Sequence, residues 1–108
     1  IRTPRGAGLS VQVFRDSELE AICGALAAEL GVIGCVNFEF IKDAGGKYHF
    51  LECNPRFSGG IGFSERAGLP AVRLHLGAWR GESIPEDITE RITPGWQVKK
   101  YIEVVTKE

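Results

Sequence analysis

The chain has 108 residues, 44% of them hydrophobic and 25% charged, with 13 basic side chains against 14 acidic ones. This composition is ordinary for one globular domain covering residues 1–108, and the net charge of −1 gives no electrostatic reason to expect nucleic acid or an anionic membrane as a partner. No apolar run approaches the roughly 20 residues that span a bilayer, and the first residues lack the apolar segment of a signal peptide, so we expect a cytoplasmic protein.

A short strand and a helix are predicted first. Residues 10–14, "SVQVF", alternate between polar and apolar side chains as a strand does. Ser17 and Glu20 match the S-x-x-E capping box, and Gly31 stands where a left-handed cap would end a helix. Apolar residues recur between these signals at helical spacing: Leu19, Ile22, Cys23, Leu26 and Leu30.

A hairpin follows the helix. Residues 32–41 and 47–54 are rich in β-branched and aromatic side chains, which favours strands, and Gly45-Gly46 between them predicts a two-residue loop. Such a loop would oppose four polar residues in two pairs on one face: Glu39 with Glu52 and Asn37 with Asn54. The apolar side chains would take the other face, against the helices: Phe38, Phe40, Leu51 and Cys53. A four-residue loop would keep the polar residues together, whereas a three-residue loop would separate them.

The second half of the chain predicts one more helix and one more strand. Pro70 suits the first turn of a helix and Gly81 its end. One face of this helix would be apolar: Val72, Leu76 and Trp79. Residues 96–105, "WQVKKYIEVV", predict a last strand. The order β-α-β-β-α-β predicts an α+β fold, in which a small, mostly antiparallel sheet has two helices packed on one face.

The polar end of the hairpin has the composition of a metal site. Two opposed carboxylates with amide oxygens beside them suit magnesium, which prefers oxygen ligands and often binds together with substrate phosphates. Arg56, shortly after the second strand, would suit those phosphates. The alternative is a pair of solvated acids on an exposed strand, whose contribution to stability is small. The presence of two asparagines and an arginine at the same end favours the metal site.

The segment "VNFEFIKDAGGKYHFLECNPRFSGG", residues 36–60, closely resembles the metal-binding hairpin of ATP-grasp ligases, especially the carbamoyl-phosphate synthase large chain. The likeness combines a strand carboxylate, the E-x-N-P-R block and the spacing between them, and its flanks extend it over nearly the whole chain. By this resemblance Glu39, Glu52 and Asn54 would be ligands of Mg²⁺ or Mn²⁺. Arg56 would contact the transferring phosphoryl group or the acyl phosphate, and Asn37 would belong with it to the cofactor-binding set.

The resemblance implies an ADP-forming ligase, in which ATP phosphorylates a carboxylate and a nucleophile attacks the acyl phosphate. The phosphate loop and adenine pocket of such enzymes are not found in this sequence, and it contains no methionine. We therefore expect the C-terminal fragment of an ATP-grasp domain, inactive alone. Its expected partners are the N-terminal part of its own enzyme, the carboxylate and nucleophile substrates, and a second copy of itself in a homodimer through a bare strand edge.

Other functions stay open at this point. A non-catalytic nucleotide-binding or regulatory module could keep the ATP-grasp fold, and a metal-dependent hydrolase could use the acid pair. The segment from Ser58 to Gly62 lacks the spacing and the lysine of a phosphate loop and is interpreted as a flexible turn beside the metal site. Arg2 and Arg5 could begin a phosphate-facing segment or lie in a solvated loop, and His49 is placed on the face opposite the glutamates.

Overall fold

The structure is a computed structural model that describes residues 10–99 and residue 107. Within that range the chain forms the following elements in order: β1 (Ser10–Val13), α1 (Ser17–Leu30), β2 (Asn37–Lys42), β3 (Tyr48–Asn54), α2 (Ile61–Arg66), α3 (Ala71–Trp79), a 3₁₀ helix (Ile88–Arg91) and β4 (Gly95–Val98). None of the helices in the described range combines the length and apolar character needed to cross a membrane. The predicted α+β class is confirmed.

The strands form two separate sheets where a single sheet was expected. β1 pairs with β4, and β2 pairs with β3, both antiparallel and each two strands wide. The predicted strand over residues 96–105 corresponds to β4, and its residues 100–105 lie outside the described range. The predicted strand over residues 32–41 begins only at Asn37, since Gly34 has φ +86° and cannot continue an extended strand.

The first helix has the predicted end and a different start. Asp16, rather than Ser17, is the N-cap, because its backbone is extended and its carboxylate accepts a hydrogen bond of 3.1 Å from the Leu19 N–H. Ser17 is the first helical residue, so the predicted capping box is wrong. At the other end, Gly31 adopts φ +64°, and the following Val32 N–H donates to the Ala27 carbonyl. This is the left-handed cap that the glycine predicts.

The apolar core of the described residues lies around α2 and the start of α3. Its buried side chains are Phe63, Ala67, Ala71 and Ile88. The end of the 3₁₀ helix lies close to Gly68, which follows α2. A Cβ on Gly68 would stand 2.6 Å from the Arg91 carbonyl oxygen, and the φ of Gly68 is +107°. A side chain at this position would push the two segments apart, so the glycine makes their close approach possible.

Two predictions for the second half of the chain were wrong in detail. The glycine-rich segment that was expected to be a flexible turn runs into α2, which starts at Ile61. The second predicted helix is α3, but its apolar face is exposed rather than packed: Val72 44%, Leu76 52% and Trp79 64%. The residues that α3 buries are Ala71 and Gly77. Periodicity located the helix, but its most buried positions are held by small residues.

Candidate functional site

Glu39 and Glu52 are directly opposite each other in the pairing of β2 and β3, and Asn37 is opposite Asn54. The predicted register is therefore confirmed at this end of the hairpin. Directly opposed residues have Cβ atoms about 4.5–5.5 Å apart, so two carboxylates and two amides share one patch of the sheet.

The loop that produces this register is not the predicted one. The Gly46 N–H donates to the Asp43 carbonyl at 3.0 Å, and the Asp43 N–H donates to the Lys47 carbonyl at 2.9 Å, which leaves a three-residue loop, 44–46. The Asp43 carboxylate also accepts a hydrogen bond of 2.9 Å from the Lys47 N–H. Gly46 has φ +86° and Gly45 does not have a positive φ, so the turn needs one left-handed residue rather than two.

A β-bulge at Leu51 compensates for the longer loop. Phe40 pairs with Phe50, whereas Glu39 pairs with Glu52, so Leu51 is an extra residue on β3. A three-residue loop without a bulge would have placed Glu39 opposite Leu51 and separated the two carboxylates. The two departures from the predicted hairpin therefore cancel at its polar end.

Between the loop and the bulge, the three-residue loop reverses which residues of β3 belong to which face. Phe50 joins the aromatic face, where its ring centroid is 5.7 Å from that of Phe40 and 6.4 Å from that of Phe38. Leu51, predicted for that face, is 53% exposed. His49 pairs with Ile41, which shares the face of Glu39, so His49 belongs to the polar face and not, as expected, to the opposite one.

The polar residues of the patch are linked to one another. The Asn54 amide nitrogen donates to Glu52 Oε1 at 2.8 Å, which uses the nitrogen and leaves the amide oxygen to act as a ligand. Arg56 follows on an exposed turn, where its Nη1 donates to the Phe57 carbonyl at 3.1 Å. Within residues 10–99, neither Glu39 nor Glu52 forms an ion pair with a basic side chain, and the acids that do so lie elsewhere.

The donors of the patch match the preferences of a hard divalent cation. Two carboxylates and one amide oxygen are oxygen ligands of the kind that magnesium and manganese accept. In the described part of the chain there is no group of three or more His, Cys, Asp or Glu side chains placed to hold a metal ion. A cation at the patch would therefore have two carboxylates and depend on Asn54 and on non-protein oxygens for further ligands.

A second polar cluster ties the hairpin to α1 and was not predicted. Tyr48 donates a short hydrogen bond to Asp16, the residue that caps α1, and Lys42 Nζ donates to the Tyr48 hydroxyl at 3.3 Å and lies 3.6 Å from Asp16 Oδ2. The Tyr48 bond lowers the pKa of Asp16, and the same bond raises the pKa of Tyr48. Spacing in the sequence cannot reveal this cluster, because Asp16 and Tyr48 are 32 residues apart.

The segment after Arg56 is contacted by Lys99, which follows β4. Lys99 Nζ donates to the Gly59 carbonyl at 2.9 Å and lies 5.0 Å from the centre of the Phe63 ring. Ser58 Oγ accepts from the Gly60 N–H at 3.1 Å. Arg2 and Arg5, for which a phosphate-facing role was considered, lie outside the described range.

The family model described as "ATP-grasp in the biosynthetic pathway with Ter operon" matches residues 1–104 of the chain. No curated protein and no solved structure gives a significant match. The resemblance drawn from the hairpin is therefore confirmed at the level of the ATP-grasp domain, whereas the narrower resemblance to carbamoyl-phosphate synthase stays a prediction. Since the matched region includes β2, β3 and Arg56 and covers almost the entire sequence, the chain belongs to this family of ATP-grasp proteins.

Proposed function

We propose that the chain carries the metal- and phosphate-binding part of an ADP-forming carboxylate ligase, as the C-terminal part of an ATP-grasp domain. The observation that supports this most strongly is the opposition of Glu39 and Glu52, with Asn37 and Asn54 beside them, in a chain of the ATP-grasp family. Like charges directly opposite each other destabilise an antiparallel pair, so such a pair is costly unless a cation or a proton offsets it.

Glu39, Glu52 and the amide oxygen of Asn54 would hold one Mg²⁺ or Mn²⁺ ion. A divalent cation there would supply charge neutralisation for the phosphate oxygens of ATP. The hydrogen bond from Asn54 to Glu52 orients both side chains before any ligand arrives, which lowers the entropy that binding must offset. Asn37, opposite Asn54, would support this end of the hairpin.

Arg56 would bind the phosphoryl group that is transferred. Its guanidinium is exposed, and only the Nη1 bond to the Phe57 carbonyl engages it within the described residues. Since a guanidinium carries five N–H donors in a planar fork, most of them remain free for the oxygens of a phosphate. The short tether from Asn54 to Arg56, with the Arg56 N–H donating to the Asn54 carbonyl at 2.7 Å, keeps the cation and phosphate groups adjacent.

The finer assignment follows the resemblance of the "ECNPR" block to the carbamoyl-phosphate synthase large chain. On this proposal the substrate carboxylate takes the γ-phosphoryl group of ATP, which releases ADP and gives an acyl phosphate, and an amine or another nucleophile then displaces the phosphate. The adenine pocket and the lysines that hold the phosphates would come from a further part of the same enzyme, so the 108 residues alone would not turn over ATP.

The test is the substitution Glu52→Gln in the complete natural protein that carries this chain. It keeps the size of the side chain and removes one charge. ATP turnover should fall by at least about tenfold, equivalent to about 1.4 kcal/mol of transition-state stabilisation, and more Mg²⁺ should be needed for half-maximal rate. Glu29→Gln, on the exposed side of α1, is the matched control and should leave both quantities unchanged. Normal turnover with normal Mg²⁺ dependence in Glu52→Gln would refute the proposal.

A further inference from the structure

One imidazole of α3 touches the chain on both sides of the hairpin. The Nδ1 atom of His75 accepts a hydrogen bond from the Cys35 backbone N–H, with a nitrogen-to-nitrogen distance of 2.9 Å. The same ring packs edge-on against Phe57, with the two ring centres 5.0 Å apart. Cys35 lies just before β2, and Phe57 comes directly after Arg56.

The close approach of this ring depends on Gly34. A Cβ at that position would stand 2.4 Å from His75 Nδ1 and 2.8 Å from His75 Cε1, and Gly34 has φ +86°. Any side chain there would displace the imidazole and strain the backbone. The backbone ahead of β2 is thus shaped to receive His75.

The hydrogen bond also fixes the chemical state of the ring. Because Nδ1 accepts a hydrogen bond from a backbone N–H, this nitrogen carries no proton of its own, and the ring proton lies on Nε2. Cys35 and His75 are both half-buried, so removal of the acceptor would leave a backbone N–H partly shielded from water without its partner. The contact with Phe57 then holds the segment that follows β3 against the same ring.

We propose that His75 is a positioning residue for the metal and phosphate groups of the hairpin. It holds the segment that leads to Asn37 and the segment that leaves Arg56 against one rigid helix, so the ligands on β2 and the guanidinium after β3 keep a constant relation. This inference rests on the proposed function, because the groups that it positions are those of the proposed site. His75 itself touches neither the cation nor the phosphate.

The test compares three substitutions in the complete natural protein. In His75→Asn the amide oxygen occupies the position of Nδ1 and can accept the Cys35 N–H. In His75→Gln the amide reaches beyond that position, and His75→Leu has no acceptor. The Mg²⁺ concentration for half-maximal ATP turnover should rise by about tenfold or more in His75→Gln and His75→Leu and stay within about twofold in His75→Asn, the scale on which loss of groups that orient metal ligands is felt.

His49→Asn is the matched control. This histidine bonds to Asp43 near the loop, away from the open end of the hairpin where Asn37 and Asn54 lie. Its loss should leave the Mg²⁺ dependence unchanged. Equal effects of the three His75 substitutions, large or small, would overturn the proposal. A second measurement does not depend on whether any variant folds: NMR of the unsubstituted protein should detect scalar coupling between the Cys35 amide nitrogen and His75 Nδ1. Absence of that coupling would also overturn it.

Failure of this inference can be told apart from failure of the proposed function. Glu52→Gln, assayed in the same protein, reports on the metal site alone. If Glu52→Gln needs the normal Mg²⁺ concentration for half-maximal turnover, the metal site is refuted. If Glu52→Gln needs a higher Mg²⁺ concentration and the three His75 substitutions have equal effects, only the positioning role is refuted.

Discussion

On the proposed function, Arg56 and the paired carboxylates would have different chemical tasks, and single substitutions can separate them. The carboxylates would contribute charge and oxygen ligands, whereas the role of Arg56 would depend on the shape of its donor set. An ammonium is a point charge and cannot reproduce two parallel hydrogen bonds from a planar fork. This difference leads to a prediction that does not follow from charge alone.

Arg56→Lys in the complete natural protein should lower ATP turnover by about tenfold, even though the charge is kept. The rate should be measured at saturating Mg²⁺, so that a change in metal affinity does not contribute. Arg66→Lys, at the end of α2, is the control and should retain the normal rate. Equal rates in the two variants would show that Arg56 acts through charge only, or not at all.

Tyr48 stabilises the fold through Asp16, and this contribution should depend on pH. Since the Tyr48 hydrogen bond lowers the pKa of Asp16 in the folded state, its stabilisation is complete above the unfolded carboxylate pKa of about 3.9 and is lost as the pH falls through the lower folded value. Tyr48→Phe should therefore melt at a lower temperature than the unsubstituted chain at neutral pH. The difference should shrink on acidification below about pH 4, where Asp16 takes up its proton.

Thermal unfolding followed by circular dichroism at several pH values checks this prediction. Asp43 offers a comparison, because its lowered pKa depends on His49 and not on Tyr48, and its contribution should be the same in both proteins. A melting difference that stays constant down to low pH would mean that Tyr48 acts through packing rather than through Asp16.

At the scale of the elements, the hairpin is the part that sequence reasoning predicted best, and partly for the wrong reason. The opposition of Glu39 and Glu52 was expected from a two-residue loop, whereas it arises from a three-residue loop and a bulge at Leu51. The loop could not be predicted because the Asp43 carboxylate competes for the Lys47 N–H and favours the longer turn. The loop places Phe50 with Phe38 and Phe40, and the bulge then returns Glu52 and Asn54 to the face of Glu39, which residue spacing alone does not predict.

The helices also show that local signals were predicted better than contacts between distant residues. Glycine at position 31 predicted the end of α1 because only the local φ matters there, whereas the start depended on a choice between Asp16 and Ser17, which are both good caps. The face of α3 was predicted from its apolar spacing, but Ala71 and Gly77 pack closely because they are small. The contact of His75 with Cys35 spans 40 residues and left no signal in the sequence.

The hairpin turn gives a direct test of the observed loop. Gly46→Ala should destabilise the fold by about 1–2 kcal/mol, because an L-residue is strained at φ +86° and its Cβ would gain only an ordinary contact with Lys42. Gly45→Ala should cost less, since Gly45 does not have a positive φ. Urea denaturation of both variants measures the two costs. A two-residue loop of type I′ would instead require both glycines to be left-handed and would make the two costs similar, and one of type II′ would make Gly45→Ala the costlier change.

At the scale of the whole molecule, the described core is small and much apolar surface remains uncovered. Exposed apolar side chains occur on α3 and on β4, where Trp96 is 71% and Val98 73% exposed. A surface of this kind is typical of an interface with another part of the protein or with another chain. It fits the proposal that these residues form one part of a larger ATP-grasp domain.

The 108-residue chain on its own should therefore self-associate. Replacement of Val72 and Leu76 by lysine should reduce the association, because it places charge on the exposed apolar face of α3. Arg73→Lys, on the same helix, keeps the charge and serves as the control. Sedimentation velocity over a range of concentrations checks the prediction. A monomer at all concentrations, with the same profile in the lysine variant, would contradict it.

On the proposed function, Glu39 and Glu52 bind one divalent cation together. The most direct measurement is a crystal structure of the complete natural protein with Mn²⁺ and a non-hydrolysable ATP analogue, in which anomalous scattering locates the metal. We predict a peak between the two opposed strands, within about 2.0–2.3 Å of a carboxylate oxygen of Glu39 and of Glu52, with the Asn54 amide oxygen as a further ligand. A manganese peak held by other residues, with these two carboxylates in solvent, would contradict the shared metal site.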